Sequence, residues 1–121
     1  MSRIAGTTYY SRGDVVLVHF PYTDRSGFKQ RPALIISANW YTAQSTDVIV
    51  LAITSKVPPS PTRDEYVLSA IDWKSGGLLA PSTVKCGKIL TLNVGLVIRR
   101  LGALPPQTVS SIMFRVQQVT S

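Results

Sequence analysis

The strongest constraint on the fold of this chain is a series of short apolar runs, each of strand length, separated by stretches rich in proline, glycine and polar residues. The first run, Asp14 to Pro21 (DVVLVHFP), alternates so that Val16, Val18 and Phe20 share one face of a strand. Further runs span Arg31–Ser37, Asp47–Ser55, Glu65–Ser69, Thr83–Asn93 and Gly95–Leu104. This pattern predicts a mainly β fold, a small and strongly curved antiparallel sheet that forms either a barrel or a half-barrel.

One segment, at the C-terminus, is predicted to be a helix. It follows Pro105 and Pro106, and proline is favoured in the first turn of a helix. Its apolar residues recur at the helical spacing i, i+3, i+4, i+7, namely Val109, Ile112, Met113 and Val116. By contrast, the segment from Lys56 to Asp64 (KVPPSPTRD) carries three prolines and is predicted to be a loop.

The length of 121 residues predicts one domain over 1–121, in which we expect 1–11 to be a loose tail. No apolar run approaches the ~20 residues that a membrane helix needs. The first residues lack the apolar segment of a signal peptide, and a single cysteine excludes an internal disulfide. We therefore expect a cytoplasmic protein that does not associate with a membrane.

The charge of the chain points to a polyanionic partner. Thirteen lysines and arginines stand against six aspartates and glutamates, for a net charge of +7. Such an excess is typical of proteins that contact nucleic acid, an acidic protein or an anionic surface. The alternative is a basic but otherwise ordinary solvated surface.

Several kinds of chemistry find no support in the sequence. The single histidine, His19, and the single cysteine, Cys86, offer no metal-ligand spacing, and the carboxylates form no cluster. There is no glycine-rich phosphate loop and no nucleophile elbow. Cys86 lies within an apolar run, which favours a buried thiol over a nucleophile. We expect neither a metal nor a cofactor.

What remains is a set of basic and hydroxyl side chains near the ends of predicted strands. They are Arg25, Lys29 and Arg31 around the first loop, Thr54 and Ser55 at the end of the third run, and Lys85 and Lys88 on the run that begins at Thr83. The guanidinium of arginine and the ammonium group of lysine neutralise the charge of phosphate oxygens, and hydroxyl groups fix the orientation of the phosphate. This set therefore favours a site that holds a phosphodiester.

The order of three segments resembles the MazF/PemK toxins of bacterial toxin–antitoxin systems. These segments are RGDVVLVHFPYTDRSGFKQRPALIIS, then LAITS, then GGLLAPSTVKC, and the resemblance extends from Arg12 to about Leu104. It implies a homodimer of curved SH3-like barrels that cleaves single-stranded RNA or mRNA without a metal and without the ribosome. The implied chemistry is attack of the 2′-OH on the adjacent phosphate, which leaves a 2′,3′-cyclic phosphate and a 5′-OH. The implied partner is an acidic antitoxin whose disordered tail covers the RNA groove.

The resemblance also assigns roles to residues. Arg31 matches the arginine that stabilises the pentavalent phosphate, Thr54 the hydroxyl that hydrogen-bonds to it, and Lys85 an acid or an electrostatic clamp. The residues expected to bind RNA around them are Arg25, Lys29, Ser55 and Lys88. Some PemK-type relatives carry an aspartate that acts as the general base at the position where this chain has Gly87. The first loop supplies no histidine or glutamate in its place. The general base is therefore not evident from the sequence.

Three functions stay open at this point. The first is a toxin endoribonuclease. The second is a catalytically weak or inactive module that binds RNA or an antitoxin without cutting, which the glycine at position 87 favours. The third, a gyrase-poisoning toxin acting through its last helix, is disfavoured because the C-terminal sequence RVQQVTS lacks a bulky aromatic residue.

Overall fold

The computed structural model of the chain describes residues 10–21 and 28–121. Within these residues the strands are β1 (Asp14–Pro21), β2 (Phe28–Ile35), β3 (Asp47–Thr54), β4 (Glu65–Val67), β5 (Thr83–Asn93) and β6 (Val97–Ala103). The α-helices are α1 (Asn39–Gln44), α2 (Ala70–Ser75) and α3 (Pro106–Thr120), and a 3-10 turn, Val94–Leu96, joins β5 to β6. None of these helices has the length and apolar character needed to cross a membrane.

The six strands form one antiparallel sheet in the order β4-β5-β3-β2-β1-β6. The predicted mainly β fold with a C-terminal helix is confirmed, and the sheet is curved but not closed, with β4 and β6 at its edges in the part of the chain described. A bulge in β5 lies between Lys85, which pairs with Ala52, and Ile89, which pairs with Leu51. Bulges bend a strand and increase its twist, so this one contributes to the curvature.

Each face of the sheet carries its own apolar core. On one face, which we call the helix face, α3 packs through Val109, Ile112 and Val116. The sheet residues of that core include Val15, Leu34, Leu51, Ile53, Val84 and Cys86. The opposite face buries Val16, Val18, Phe20, Ala33, Ile35, Val48 and Val50. The strict alternation along β1 and β3 produces this division, because successive side chains point to opposite faces.

Two of the links between strands contain short helices, α1 and α2, although the sequence pattern predicts a helix at the C-terminus only. Helix α2 begins after Ser69, whose Oγ accepts a hydrogen bond from the Asp72 backbone N–H at 3.2 Å. The Asp72 carboxylate in turn accepts a bond from the Thr108 hydroxyl at 2.9 Å, which attaches α2 to α3. This contact between distant segments stabilises a helix that is too short to be predicted from its own sequence.

Strand β2 begins at Phe28, three residues before the start predicted at Arg31. The stretch from Phe28 to Gln30 is strand because it pairs with the end of β1, where Pro21 lies opposite Phe28. Arg31 therefore lies inside β2 and not at its first residue. Lys29 and Gln30 are exposed, and such polar side chains suit a strand end as well as they suit a loop.

The predicted N-terminal tail falls mostly outside the described residues, which begin at residue 10. Tyr10 is buried in the core of the opposite face. The backbone N–H of Ser11 donates to the Asp14 carboxylate at 2.8 Å. These last two residues of the predicted tail are therefore attached to the sheet.

Replacement of Ile112 by alanine tests the packing of α3 on the helix face. Ile112 is fully buried, so we expect Ile112→Ala to lower the free energy of unfolding by about 2–5 kcal/mol. Phe114→Ala, on the exposed side of the same helix, is the matched control and we expect it to cost about 0.5 kcal/mol or less. Urea denaturation at neutral pH measures both, and equal costs would contradict this packing.

Candidate functional site

The register of the sheet places Arg31 and Thr54 side by side. Arg31 pairs with Val18, a core residue of the opposite face, so the arginine side chain projects on that face. Ala33 of β2 pairs with Ala52 of β3, and the same register continued by two residues sets Arg31 level with Thr54. Both side chains therefore lie at the same end of neighbouring strands, on the face away from α3.

Strand β5 extends this arrangement on the other side of β3. Thr54 pairs with Thr83, and Ala52 pairs with Lys85. One row across three strands is thus formed by Arg31, Thr54 and Thr83. Lys85 lies two residues after Thr83 on β5, and its side chain projects on the same face. Cross-strand neighbours in such rows have Cβ atoms about 4.5–5.5 Å apart, which is the spacing needed to contact one small anion.

These side chains differ in exposure and in their own contacts. Arg31 is exposed, as is Lys29, which lies two residues earlier on the same face. Thr54 is half-buried, and its Oγ1 accepts a hydrogen bond from the Lys56 backbone N–H at 3.2 Å. Because that bond uses a lone pair, the hydroxyl hydrogen of Thr54 is left to donate to an anion.

Lys85 is fixed by an ion pair with Glu65, the residue opposite it on β4. The Lys85 Nζ lies 2.9 Å from the Glu65 Oε2. The Glu65 Oε1 also accepts bonds from the backbone N–H of Thr62 at 3.0 Å and from the Thr62 hydroxyl at 2.9 Å. Glu65 is a residue of this site that the sequence analysis missed, because strand pairing between positions 65 and 85 cannot be read from the chain.

The ion pair sets the charge of both partners. The hydrogen bond from Lys85, followed by those from Thr62, lowers the pKa of Glu65 from 4.5 to about 2. The hydrogen bond to Glu65 raises the pKa of Lys85 above 10.5. At neutral pH Lys85 is therefore a fixed cation, which suits an electrostatic clamp better than a proton donor.

The hydroxyl of Thr83 is a second feature that the sequence analysis missed. Thr83 is fully buried beside Thr54, and its Oγ1 has no hydrogen-bond partner among the described residues. Buried hydroxyls without a partner are rare in folded proteins. The unpartnered oxygen thus lies in the same row as Arg31 and Thr54.

The other predicted RNA-binding residues are spread around this row. Ser55 is exposed just after the end of β3, and Lys88 is exposed in the β5 bulge. Arg25 lies outside the described residues. A Cβ placed on Gly87 would lie 3.9 Å from the Asp64 Oδ2, so a carboxylate from the residue before β4 stands next to the position where the predicted base is missing.

Cys86 and His19 lie away from the row. Cys86 is buried in the core of the helix face, and burial raises the pKa of its thiol to about 11. His19 pairs with Gln30 and alternates with Val18 and Phe20, so it projects on the helix face. These positions agree with the interpretation of Cys86 as a buried thiol. Within residues 10–21 and 28–121, no three histidines, cysteines or carboxylates come together as a metal site would require.

The sequence profile of the PemK-like, MazF-like toxins of type II toxin–antitoxin systems matches residues 11–120. The chain belongs to this toxin family. The resemblance noted from the segments between Arg12 and Leu104 is therefore confirmed, and the match also includes α3. No curated protein sequence matches the chain.

Solved structures that share this fold include proteins from mycobacteria and from Deinococcus radiodurans. An endoribonuclease from a mycobacterial species is 20% identical, with a TM-score of 0.74, over 95% of this chain and 94% of its own. An endoribonuclease in complex with its cognate antitoxin, also mycobacterial, is 21% identical, with a TM-score of 0.73, over 92% and 94%. MazF from Deinococcus radiodurans is 17% identical, with a TM-score of 0.75, over 94% and 98%. At these identities the likeness concerns the fold.

Replacement of Glu65 by glutamine tests the ion pair through pH. Because the pKa of Glu65 is lowered, its contribution to stability is present above pH 4.5 and is lost as the pH falls from there to about 2. We therefore expect Glu65→Gln to be less stable than the parent at neutral pH and the difference to shrink over that acid range. Urea titrations across the range measure it, with Asp47→Asn as the control for loss of one carboxylate. A difference that does not change with pH would contradict the ion pair.

Proposed function

We propose that this toxin is a ribosome-independent, metal-free endoribonuclease that cleaves single-stranded RNA, including mRNA. The observation that carries the proposal is the convergence of Arg31, Thr54 and Lys85 on one face at one end of neighbouring strands. A guanidinium, a hydroxyl and a fixed ammonium group are the donors that a phosphodiester requires. Membership in the PemK/MazF family supports the same reaction class.

The proposed reaction is an internal transfer at phosphorus. The ribose 2′-oxygen forms a bond to the adjacent phosphorus while the bond from phosphorus to the 5′-oxygen breaks. The 2′-OH loses its proton and the leaving 5′-oxygen gains one, so the products end in a 2′,3′-cyclic phosphate and a 5′-OH. Negative charge grows on the non-bridging oxygens in between, and stabilisation of that charge is the contribution expected of the protein.

Each side chain has a distinct part in this proposal. Arg31 is exposed and presents a planar fork that binds two phosphate oxygens at once. Thr54 donates its hydroxyl hydrogen to one of these two non-bridging oxygens. Lys85 adds a fixed positive charge, and Glu65 positions it through the 2.9 Å ion pair. Lys29, Ser55 and Lys88 extend the polar surface along which the RNA strand would lie. A role for Arg25 in binding RNA stays a prediction.

The proton acceptor is the part that this chain lacks at the expected position. Gly87 has no side chain, and Glu65, with a pKa of about 2, is a weak base. Removal of a general base typically lowers a rate by about 10²–10⁴. We therefore expect cleavage to depend mainly on phosphate stabilisation and to be slower than in a relative with a carboxylate at this position.

Glycine at position 87 also favours a second candidate function. A protein with the same row of basic and hydroxyl groups but no base would hold RNA, or an antitoxin, without cutting. In that case RNA binding would weaken steeply with salt, because phosphate contacts release counterions, and no cyclic phosphate ends would form.

The proposed partners follow from charge and family. The net charge of +7 fits an acidic antitoxin, and one of the solved mycobacterial structures is an endoribonuclease in complex with its cognate antitoxin. We propose that this chain likewise binds an acidic antitoxin, acts as a homodimer and works in the cytoplasm.

A cleavage assay on a long single-stranded RNA in EDTA tests the proposed activity. We expect fragments with 2′,3′-cyclic phosphate and 5′-OH ends, and we expect Arg31→Ala to lower the rate by about 10²–10³ because it removes one stabilising donor. Arg99→Ala, which removes an equal charge from an exposed position on β6, is the matched control and should cleave like the parent. Mass spectrometry of the fragments identifies the ends.

Two results would contradict the proposal. Cleavage that survives in Arg31→Ala would place the reaction elsewhere. Absence of cleavage in the parent, together with salt-sensitive RNA binding that Arg31→Ala abolishes, would favour the binding module.

A further inference from the structure

The hydroxyl of Thr83 is buried in the row of Arg31 and Thr54, and it has no hydrogen-bond partner in the described part of the chain. A buried hydroxyl without a partner costs free energy, because the group has given up its hydrogen bonds to water. Valine has the same branched shape and carries no such cost, so packing alone favours valine at this position. The hydroxyl therefore points to a use other than packing.

The register of the sheet limits the side chains that this hydroxyl can reach. Its neighbour on β4 is Val67, which has no polar side-chain atom. Lys85, two residues further along β5, is held by Glu65 at 2.9 Å. Its neighbour on β3 is Thr54, and paired threonines with Cβ atoms about 4.5–5.5 Å apart can join their hydroxyls. Of the two residues that pair with Thr83, Thr54 alone offers a side-chain acceptor.

The Thr54 hydroxyl has room for one more donor. Its oxygen carries two lone pairs, and the Lys56 backbone N–H uses one of them at 3.2 Å. With one lone pair occupied, the hydroxyl hydrogen can still point in either of the two remaining directions. A second donor would occupy the other lone pair and leave the hydrogen a single direction. A hydroxyl that accepts in this way is also a stronger donor, because neighbouring hydrogen bonds polarise one another.

We propose that Thr83 is a positioning residue, whose hydroxyl donates to the Thr54 oxygen when RNA is bound and thereby directs the Thr54 hydrogen to the phosphate. A rotation of the Thr83 side chain from one staggered conformation to another would make this bond. Because Thr83 is fully buried, it acts through Thr54 and does not touch the RNA. Its part in cleavage rests on the proposed function, whereas its burial beside Thr54 does not.

Substitutions that separate shape from chemistry test this role in the full chain. Thr83→Val keeps the branched shape and removes the hydroxyl, whereas Thr83→Ser keeps the hydroxyl and removes a methyl group. We expect Thr83→Val to lower kcat/KM for RNA cleavage by about fivefold, which corresponds to ~1 kcal/mol, the usual net value of one hydrogen bond. We expect Thr83→Ser to cleave within about twofold of the parent, because the bond to Thr54 can still form.

The stabilities of the same variants should follow the opposite order. Thr83→Val should have the same urea midpoint as the parent or a higher one, because no hydrogen bond within the protein is lost. Thr83→Ser should have a lower midpoint, because the missing methyl group leaves a small cavity.

The matched control is Thr42→Val. Thr42 is also fully buried, but its hydroxyl is bonded to the Ser37 hydroxyl at 2.8 Å. It lies in α1, which comes just before the start of β3, whereas Thr54 ends that strand. Thr42→Val should therefore lower the urea midpoint and leave kcat/KM unchanged.

A double-mutant cycle tests whether Thr83 acts through Thr54. We expect Thr83→Val to have no further effect on kcat/KM when it is combined with Thr54→Val, because the group that it directs is then absent. The same cycle is measured on the affinity for a single-stranded RNA whose 2′-hydroxyls are all methylated, so that it cannot undergo the proposed reaction. Thr83→Val should weaken this binding in the parent background and not in the Thr54→Val background.

Three results would overturn the proposal. The first is a Thr83→Val variant that cleaves and binds RNA like the parent. The second is a cycle in which the losses from Thr83→Val and Thr54→Val are additive in free energy, since Thr83 would then act independently of Thr54. The third is a fall in the urea midpoint of Thr83→Val as large as that of Thr42→Val, which would mean that the hydroxyl has a structural partner.

The two readouts also separate this proposal from the proposed activity. A parent chain that binds the methylated RNA but cuts no RNA would reject the activity alone, and the cycle on binding would still decide whether Thr83 acts through Thr54. A parent chain that neither cuts nor binds RNA would reject both.

Discussion

The antiparallel register of β2, β3 and β5 is the constraint on which the candidate site depends. Side chains alternate between the two faces of a sheet, so a shift of one residue would move an entire strand's pattern to the other face. In the observed register Arg31, Thr54 and Lys85 project on the same face although they are far apart in the chain. The two apolar cores fix that register, because a shift would expose Ala33, Ile35 and Val50 and bury polar groups.

The two faces of the sheet give the molecule two distinct basic surfaces. The face opposite α3 carries the row of phosphate donors at the ends of the strands. Arg63 and Arg115 line a groove between β4 and α3, whose position depends on the packing of Ile112 of α3 in the same core as Cys86. Glu65 connects them, since its carboxylate holds Lys85 on one side and its carbonyl holds Arg115 on the other.

The parts of the fold that could be predicted from sequence are those determined by local pattern. The bounds of β1, from Asp14 to Pro21, follow from alternation, and α3 follows from its apolar spacing and the prolines before it. Arg31, Thr54 and Lys85 could be named because they stand in segments that resemble one family. The roles assigned to them stay predictions.

What could not be predicted depends on contacts between distant segments. The start of β2 at Phe28 depends on its pairing with Pro21, and α2 depends on the bond from Thr108 to Asp72. The pairing of Glu65 with Lys85 and the groove beside α3 arise only when the strands are placed in order. Neither leaves a periodic signal in the chain, because each joins residues whose separation has no fixed value.

The most direct test of the central claim is the structure of this protein with a single-stranded RNA whose scissile nucleotide lacks its 2′-hydroxyl and therefore cannot react. The account predicts one phosphate within hydrogen-bond distance of both the Arg31 guanidinium and the Thr54 hydroxyl, with the Lys85 ammonium group beside it and still paired to Glu65. An RNA strand bound along α3, or a phosphate that contacts neither Arg31 nor Thr54, would contradict it.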